Sequence, residues 1–203
     1  MSRKGTAREV FIDEVLDIYM KEGLRTTMDV VSKRLKISKR TIYEQFKDKT
    51  DVVRACVLRM QEQMPPYVDV EHGNVVPYLF NLLDEHVRLM HGERARFILN
   101  LRTEYPELYL ELFKPLLQQS KDKLFSALKE GELYGYVRPG FDHELLFSYL
   151  IKFVYLVTAD KDEVLKSHSL DMIFEHSLTP LLRGLLTEKG VKALDAMASD
   201  KNK

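Results

Sequence analysis

Apolar residues recur along most of this chain at intervals of three and four, the period of an α-helix with one buried face. Phe11, Ile12, Val15, Leu16 and Tyr19 form such a stripe between about Thr6 and Glu22. Gly23 suits the left-handed position just past a helix end. Thr26 and Thr27 offer N-cap oxygens for a second helix to about Arg34, with Val30, Val31 and Leu35 facing inward. Leu35, Lys36 and Ile37 make a turn, and Ser38 caps a third helix, Lys39 to Phe46. Asp48 caps a fourth, with Asp51 near the positive end of its dipole. That helix reaches about Gln63, where Pro65 and Pro66 stop it.

The helical period continues almost to the end. It predicts helices from Val75 to His91, from Glu93 to about Leu101, and from Pro106 to about Glu130 with a kink at Pro115. Gly131 to Gly140, GELYGYVRPG, reads as a loop. Two strongly apolar helices follow, Asp142 to Ala159 and about Leu170 to Thr187, the second bent at Pro180. Val191 to Ala198 makes a last short helix before a frayed tail. No convincing segment alternates with period two, so the expected fold class is all-α. The sequence shows no internal repeat and no low-complexity tract.

The run from Ser38 to Phe46, SKRTIYEQF, gives this pattern a purpose. With its neighbours it reads as two short helices joined by a tight turn, and a helix-turn-helix presents its second helix to the DNA major groove. Zero net charge argues against such a partner, but the distribution reverses that reading. Residues 1–50 hold 12 basic and 8 acidic residues, a balance of +4 that leaves −4 for the remainder. A basic end on a mildly acidic body fits a DNA-facing N-terminus.

The other bounds are simple. The chain of 203 residues is 45% hydrophobic and 31% charged, in the range of a soluble globular protein with one or two domains. No run of 18 apolar residues offers a membrane span, and the N-terminus lacks the pattern of a signal peptide. Cys56 stands alone, which excludes an internal disulfide and fits a reducing cytoplasm, the expected location. No basic partner is identifiable for it, so it reads as an inert helix residue.

The stretch from Phe11 to about Arg54 resembles the DNA-binding domain of TetR-family transcriptional regulators. The resemblance is carried by Tyr19 four residues before Gly23, the pair Thr26-Thr27, and then Ile37, Ser38, Lys39, Thr41, Ile42, Tyr43 and Phe46, with Lys49 after them. It covers about a quarter of the chain. Two residues depart from the family pattern. Lys36 stands in the turn where a small residue or glycine is usual, and Arg40 stands where glycine is frequent. Ile42 and Phe46, four apart, pack the third helix onto the first. Lys39, Arg40, Thr41 and Tyr43 lie away from that face. Lys39 and Tyr43 are read as phosphate contacts, Arg40 and Thr41 as candidates for base edges, and Glu44 as a possible acceptor for cytosine or a solvent-facing residue. Thr27 and Lys49 begin helices whose first amides can receive phosphate oxygens. The candidate DNA-binding set is Thr26, Thr27, Ser38, Lys39, Arg40, Thr41, Tyr43, Lys47 and Lys49.

The resemblance implies a DNA-binding domain over residues 1–50, with its motif at about 27–46, and a helical ligand-binding and dimerisation domain over 51–203. It also implies a homodimer on a palindromic operator, released as a repressor by a small-molecule effector. Leu145, Leu146, Tyr149, Leu150, Phe153 and Val154 make one wide stripe. Ile173, Leu178, Leu181, Leu182, Leu185 and Leu186 make another. Of these, Leu146, Leu150, Ile173, Leu178, Leu182 and Leu185 are the candidate dimer interface. His86, Met90, Phe97, Tyr105, Tyr109, Phe113, Tyr149 and Phe153 combine apolar bodies with polar tips and are the candidate ligand pocket.

Rival readings are an all-helical small-molecule-binding protein or enzyme without DNA binding, and a dimeric interaction module. The chain has no Glu-x-x-His pair, no HExxH and no GxSxG. GYVRPG is followed by Phe-Asp and so fails as a phosphate loop. No catalytic residue, cofactor or metal is expected.

Overall fold

The computed structural model of the chain describes residues 7–63, 73–89, 92–158 and 167–201. The elements in those residues are helical, as the missing alternation predicts, and no extended pairing among them exceeds an isolated bridge such as Val137 with Leu186. In chain order they are α1 (Ala7–Glu22), α2 (Met28–Leu35), α3 (Lys39–Tyr43), α4 (Lys49–Glu62), α5 (Val76–Leu89), α6 (Glu93–Glu104), α7 (Pro106–Leu133) and α8 (His143–Thr158). Then come α9 (Leu170–Ile173), a π-helical turn (Phe174–Leu178), α10 (Thr179–Leu185) and α11 (Glu188–Lys201).

The chain divides into two compact units, one within Met1–Pro65 and Gly92–Pro115, the other within Pro66–His91 and Leu116–Lys203. Neither unit is one continuous stretch of chain. Residue 50 lies in the first turn of α4, and α4 packs along α1 with Val52, Val53, Cys56 and Val57 fully buried. α6 packs against α1 as well, so the N-terminal unit draws on a segment far along the chain.

In the first unit the stripe of α1 is buried as expected at Ile12, Val15, Leu16 and Tyr19. The Tyr19 hydroxyl donates to Met28 Sδ at 3.5 Å, and burial pushes its pKa far up. Three N-caps define α2, α3 and α4 within a few residues of sequence. Thr27 accepts from the Val30 amide, Ser38 from that of Thr41, and Asp48 from that of Asp51, at 3.4, 3.1 and 2.9 Å. On α2 the buried residues are Met28, Val31 and Ser32, spaced for one face of a short helix. Val30, expected inward, is exposed, and Leu35 is half-buried. α2 ends at Lys36, whose φ of 56° and ψ of 35° are left-handed. α3 closes at Tyr43, three residues early, although Phe46 still donates its amide to Ile42.

In the second unit α5, α7, α8, the π turn and the helices beside it enclose one apolar cluster. Leu79, Leu83, Leu124, Leu128, Leu178 and Leu182 are among its members. Pro115 lies inside α7 without ending it, and α7 runs 28 residues. The single helix expected over Leu170 to Thr187 is broken into α9, the π turn and α10. Proline lacks the amide hydrogen, and its ring meets the carbonyl four residues back in a regular helix. The wider turn falls immediately before Pro180, with the Thr179 amide donating to the Phe174 carbonyl.

The GELYGYVRPG loop is fastened to the joint between α10 and α11. The amides of Arg138 and Thr187 donate to the carbonyls of Leu185 and Tyr136 at 2.9 and 3.0 Å. The Thr187 hydroxyl donates to the Gly135 carbonyl at 2.7 Å, and the Lys189 ammonium to that of Tyr134 at 2.9 Å. Gly190 sits so close that a β-carbon there would lie 2.3 Å from the Tyr136 carbonyl oxygen. α11 begins at Glu188 and is longer than expected.

Candidate nucleic-acid interface

α3 has two dissimilar sides. Ile42, with Phe46 just beyond the helix, is buried to about 1% exposure, and Phe46 packs against Phe11 of α1 with ring centroids 5.5 Å apart. Ser38, Lys39, Arg40, Thr41 and Tyr43 are exposed, as are Thr27 before α2 and Lys47 before α4. Thr26 is half-buried. The apolar anchor thus turns a short row of cations, hydroxyls and one phenol to solvent, the chemistry of phosphate and base-edge contacts.

These groups are tied to one another. The Lys39 ammonium meets Asp29 of α2 at 2.7 Å, which raises the lysine pKa and lowers that of the carboxyl. The Arg40 guanidinium meets Glu44, which caps the end of α3, at 3.1 Å. The hydroxyls of Ser38 and Thr41 are 2.8 Å apart. Before α4, the Lys47 amide donates to Asp51 at 3.1 Å, so the side chain of Lys47 is left at the surface while its backbone is engaged.

Lys49 is placed otherwise than expected. Its ammonium donates to the Leu24 carbonyl at 2.5 Å and lies 5.9 Å from the Tyr19 ring centre. Burial pulls its pKa down. The ammonium ties the start of α4 to the segment just past α1. One cation was missed in the sequence. Arg8, in the first turn of α1, sets its guanidinium 5.2 Å from the Phe46 ring centre and is exposed. The stripe of α1 identifies its buried face only and carries no signal for Arg8.

Residues 6–56 match the family described as bacterial regulatory proteins, tetR family. Over that stretch, about a quarter of the chain, the sequence is similar to the TetR family. The match spans α1 to α3 and the first half of α4, the segment that builds the exposed row. A comparison with curated proteins finds no match. Solved structures extend the likeness beyond this TetR-family segment. The ketosteroid transcriptional regulator KstR2 of Mycobacterium tuberculosis is 16% identical with a TM-score of 0.67, over 92% of this chain and 98% of that one. A structure described as the superantigen pfit is 17% identical with a TM-score of 0.62, over 93% of each chain. A TetR family transcriptional regulator from Chloroflexus aurantiacus is 17% identical with a TM-score of 0.54, over 91% and 96%. Such distant likenesses establish the fold, and function has to be argued from the site.

The residues proposed for a ligand pocket do not gather in one unit. Phe97, Tyr105, Tyr109 and Phe113 belong to the N-terminal unit, where Phe97 is fully buried and Tyr109 stacks on Phe113 at 5.4 Å. Burial raises the pKa of Tyr105. Tyr149 and Phe153, stacked at 6.4 Å on α8, belong to the second unit. His86 is on α5 with its side chain outside the described residues, and Met90 lies outside them altogether.

The candidate dimer-interface residues all lie within the second unit. Leu150, Ile173, Leu178, Leu182 and Leu185 are buried in this single chain, and Leu146 packs against the same core. The apolar residues left at the surface of α8 are Leu145, Tyr149 and Leu156, 69%, 52% and 49% exposed. Their spacing of four and seven puts them on one face.

Proposed function

We propose that this chain is a homodimeric transcriptional regulator of the TetR family, a repressor that leaves a palindromic operator when a small molecule binds its helical body. The observation that carries the reading is the exposed row Lys39, Arg40, Thr41 and Tyr43, set opposite the buried Ile42 and Phe46. A helix so anchored has one side free for the major groove. A second copy supplies a second recognition helix, and the exposed apolar face of α8 offers a self-complementary surface for it. No described helix is long and apolar enough to cross a membrane. Release follows if the effector favours a dimer whose two helices no longer match the half-site spacing, because a ligand moves an equilibrium only by binding its states differently.

A DNA titration over a salt series tests this. The expected result is specific binding that weakens steeply as salt rises, and that Lys39→Ala with Tyr43→Ala abolishes while the protein stays folded. Unchanged binding by that variant removes α3 from the reading role. Absence of specific binding by the wild-type chain favours the rival, a helical ligand-binding protein or enzyme without a DNA partner.

A further inference from the structure

Arg40 on α3 and Glu44, the residue that caps its end, stand one turn apart, with Arg40 Nε donating to Glu44 Oε1 at 3.1 Å. Both are largely exposed, at 88% and 60%, and the buried Ile42 and Phe46 hold this segment without them. An exposed pair of this kind adds little to stability. A carboxylate on a surface that meets phosphates works against general DNA affinity. The pair therefore needs another account.

A guanidinium carries five N–H donors in a planar fork. With Nε given to Glu44, the two Nη groups remain for a second pair of acceptors. Guanine offers such a pair in the major groove, O6 and N7. A phosphate could take the same fork, but it is bound chiefly through charge, and Glu44 cancels the charge of Arg40. What the pair keeps is hydrogen-bond direction, which a base edge requires. The neighbouring cation is neutralised too, by Asp29 across the turn, so charge is held low over this part of the surface.

We infer that Arg40 reads one guanine in each operator half-site and that Glu44 is the positioning residue that fixes its guanidinium. The inference rests on α3 being the DNA-reading helix. The test uses the full chain and a site selected from random DNA, with each base pair of the half-site then replaced in turn. In the wild type, replacing one guanine should cost about 10- to 100-fold in affinity, and in Arg40→Ala that replacement should cost nothing further. Glu44→Leu should shrink the guanine preference several-fold while binding unrelated DNA at least as well as the wild type. Glu44→Gln, which keeps the acceptor, should retain the preference. The inference is overturned if Arg40→Ala weakens all sequences alike and lowers the salt slope by about one phosphate contact. It is equally overturned if Glu44→Leu leaves the preference intact. A wild-type chain that selects no DNA overturns the DNA-reading assignment itself, which separates that failure from the others.

Discussion

Arg59 on α4 grips Asp13 on α1 with two parallel hydrogen bonds, Nε to Oδ1 at 2.7 Å and Nη2 to Oδ2 at 2.9 Å. The contact lowers the Asp13 pKa, mainly through the hydrogen bond from Arg59. Arg54 and Glu111 form a second bidentate pair with the same effect on the carboxyl. A carboxyl depressed in the folded state contributes stability above its unfolded pKa and loses it as pH falls through the folded value. The N-terminal unit should therefore hold its stability near neutral pH and weaken below about pH 4. Asp13→Asn should flatten that acid limb and cost about 1 kcal/mol at pH 7, a modest figure because the pair is partly exposed. Urea unfolding at a series of pH values checks both.

Lys36 is left-handed at φ 56°, alone among the non-glycine residues described. A β-carbon there costs about 1 kcal/mol relative to glycine. Lys36→Gly should stabilise the N-terminal unit by about that amount, offset in part by the freer unfolded chain. A raised urea midpoint with an unchanged slope is the expected observation.

Lys49 is held by the Leu24 carbonyl, so its loss should be felt in folding and not in DNA affinity. Lys49→Ala should cost about 1–2 kcal/mol of stability through the lost hydrogen bond and packing. The salt dependence of DNA binding should stay as in the wild type. A slope reduced by about one contact would instead show that the ammonium swings out to a phosphate.

The two sides of the apolar helices should respond differently. Leu182→Ala opens a cavity in the second unit's core and should cost about 2–5 kcal/mol. Leu145→Asp with Leu156→Asp changes only exposed positions and should leave unfolding within about 1 kcal/mol of wild type. The same double variant should shift sedimentation toward monomer and weaken operator binding. An unaltered dimer would place the interface elsewhere.

What the sequence showed and what it hid follow from the range of each interaction. The N-caps Thr27, Ser38 and Asp48 each act over three residues, so α2, α3 and α4 could be located from the chain alone. The anchoring of α3 by Ile42 and Phe46 was legible for the same reason. The contact of Lys49 was hidden because its acceptor lies 25 residues earlier. The discontinuous make-up of the first unit was hidden because α6 joins α1 across more than 70 residues of chain. Periodicity identifies which side of a helix is buried but not by what. Leu182 and Leu185 therefore looked available to a second copy while the chain's own core held them. Phe97, read as pocket lining, is core for the same reason.

The turn from Phe174 to Leu178 holds more residues than an α-helix places in the same rise. One residue corresponds to about 100° of rotation about a helix axis. The wide turn absorbs that extra residue, so Ile173 before it and Leu182 after it still reach a common core. Shortening the segment by one residue would do more than remove a side chain. It would close the wide turn to a regular helix and bring the Pro180 ring onto the carbonyl four residues back. The sequence here is constrained in length as firmly as in composition.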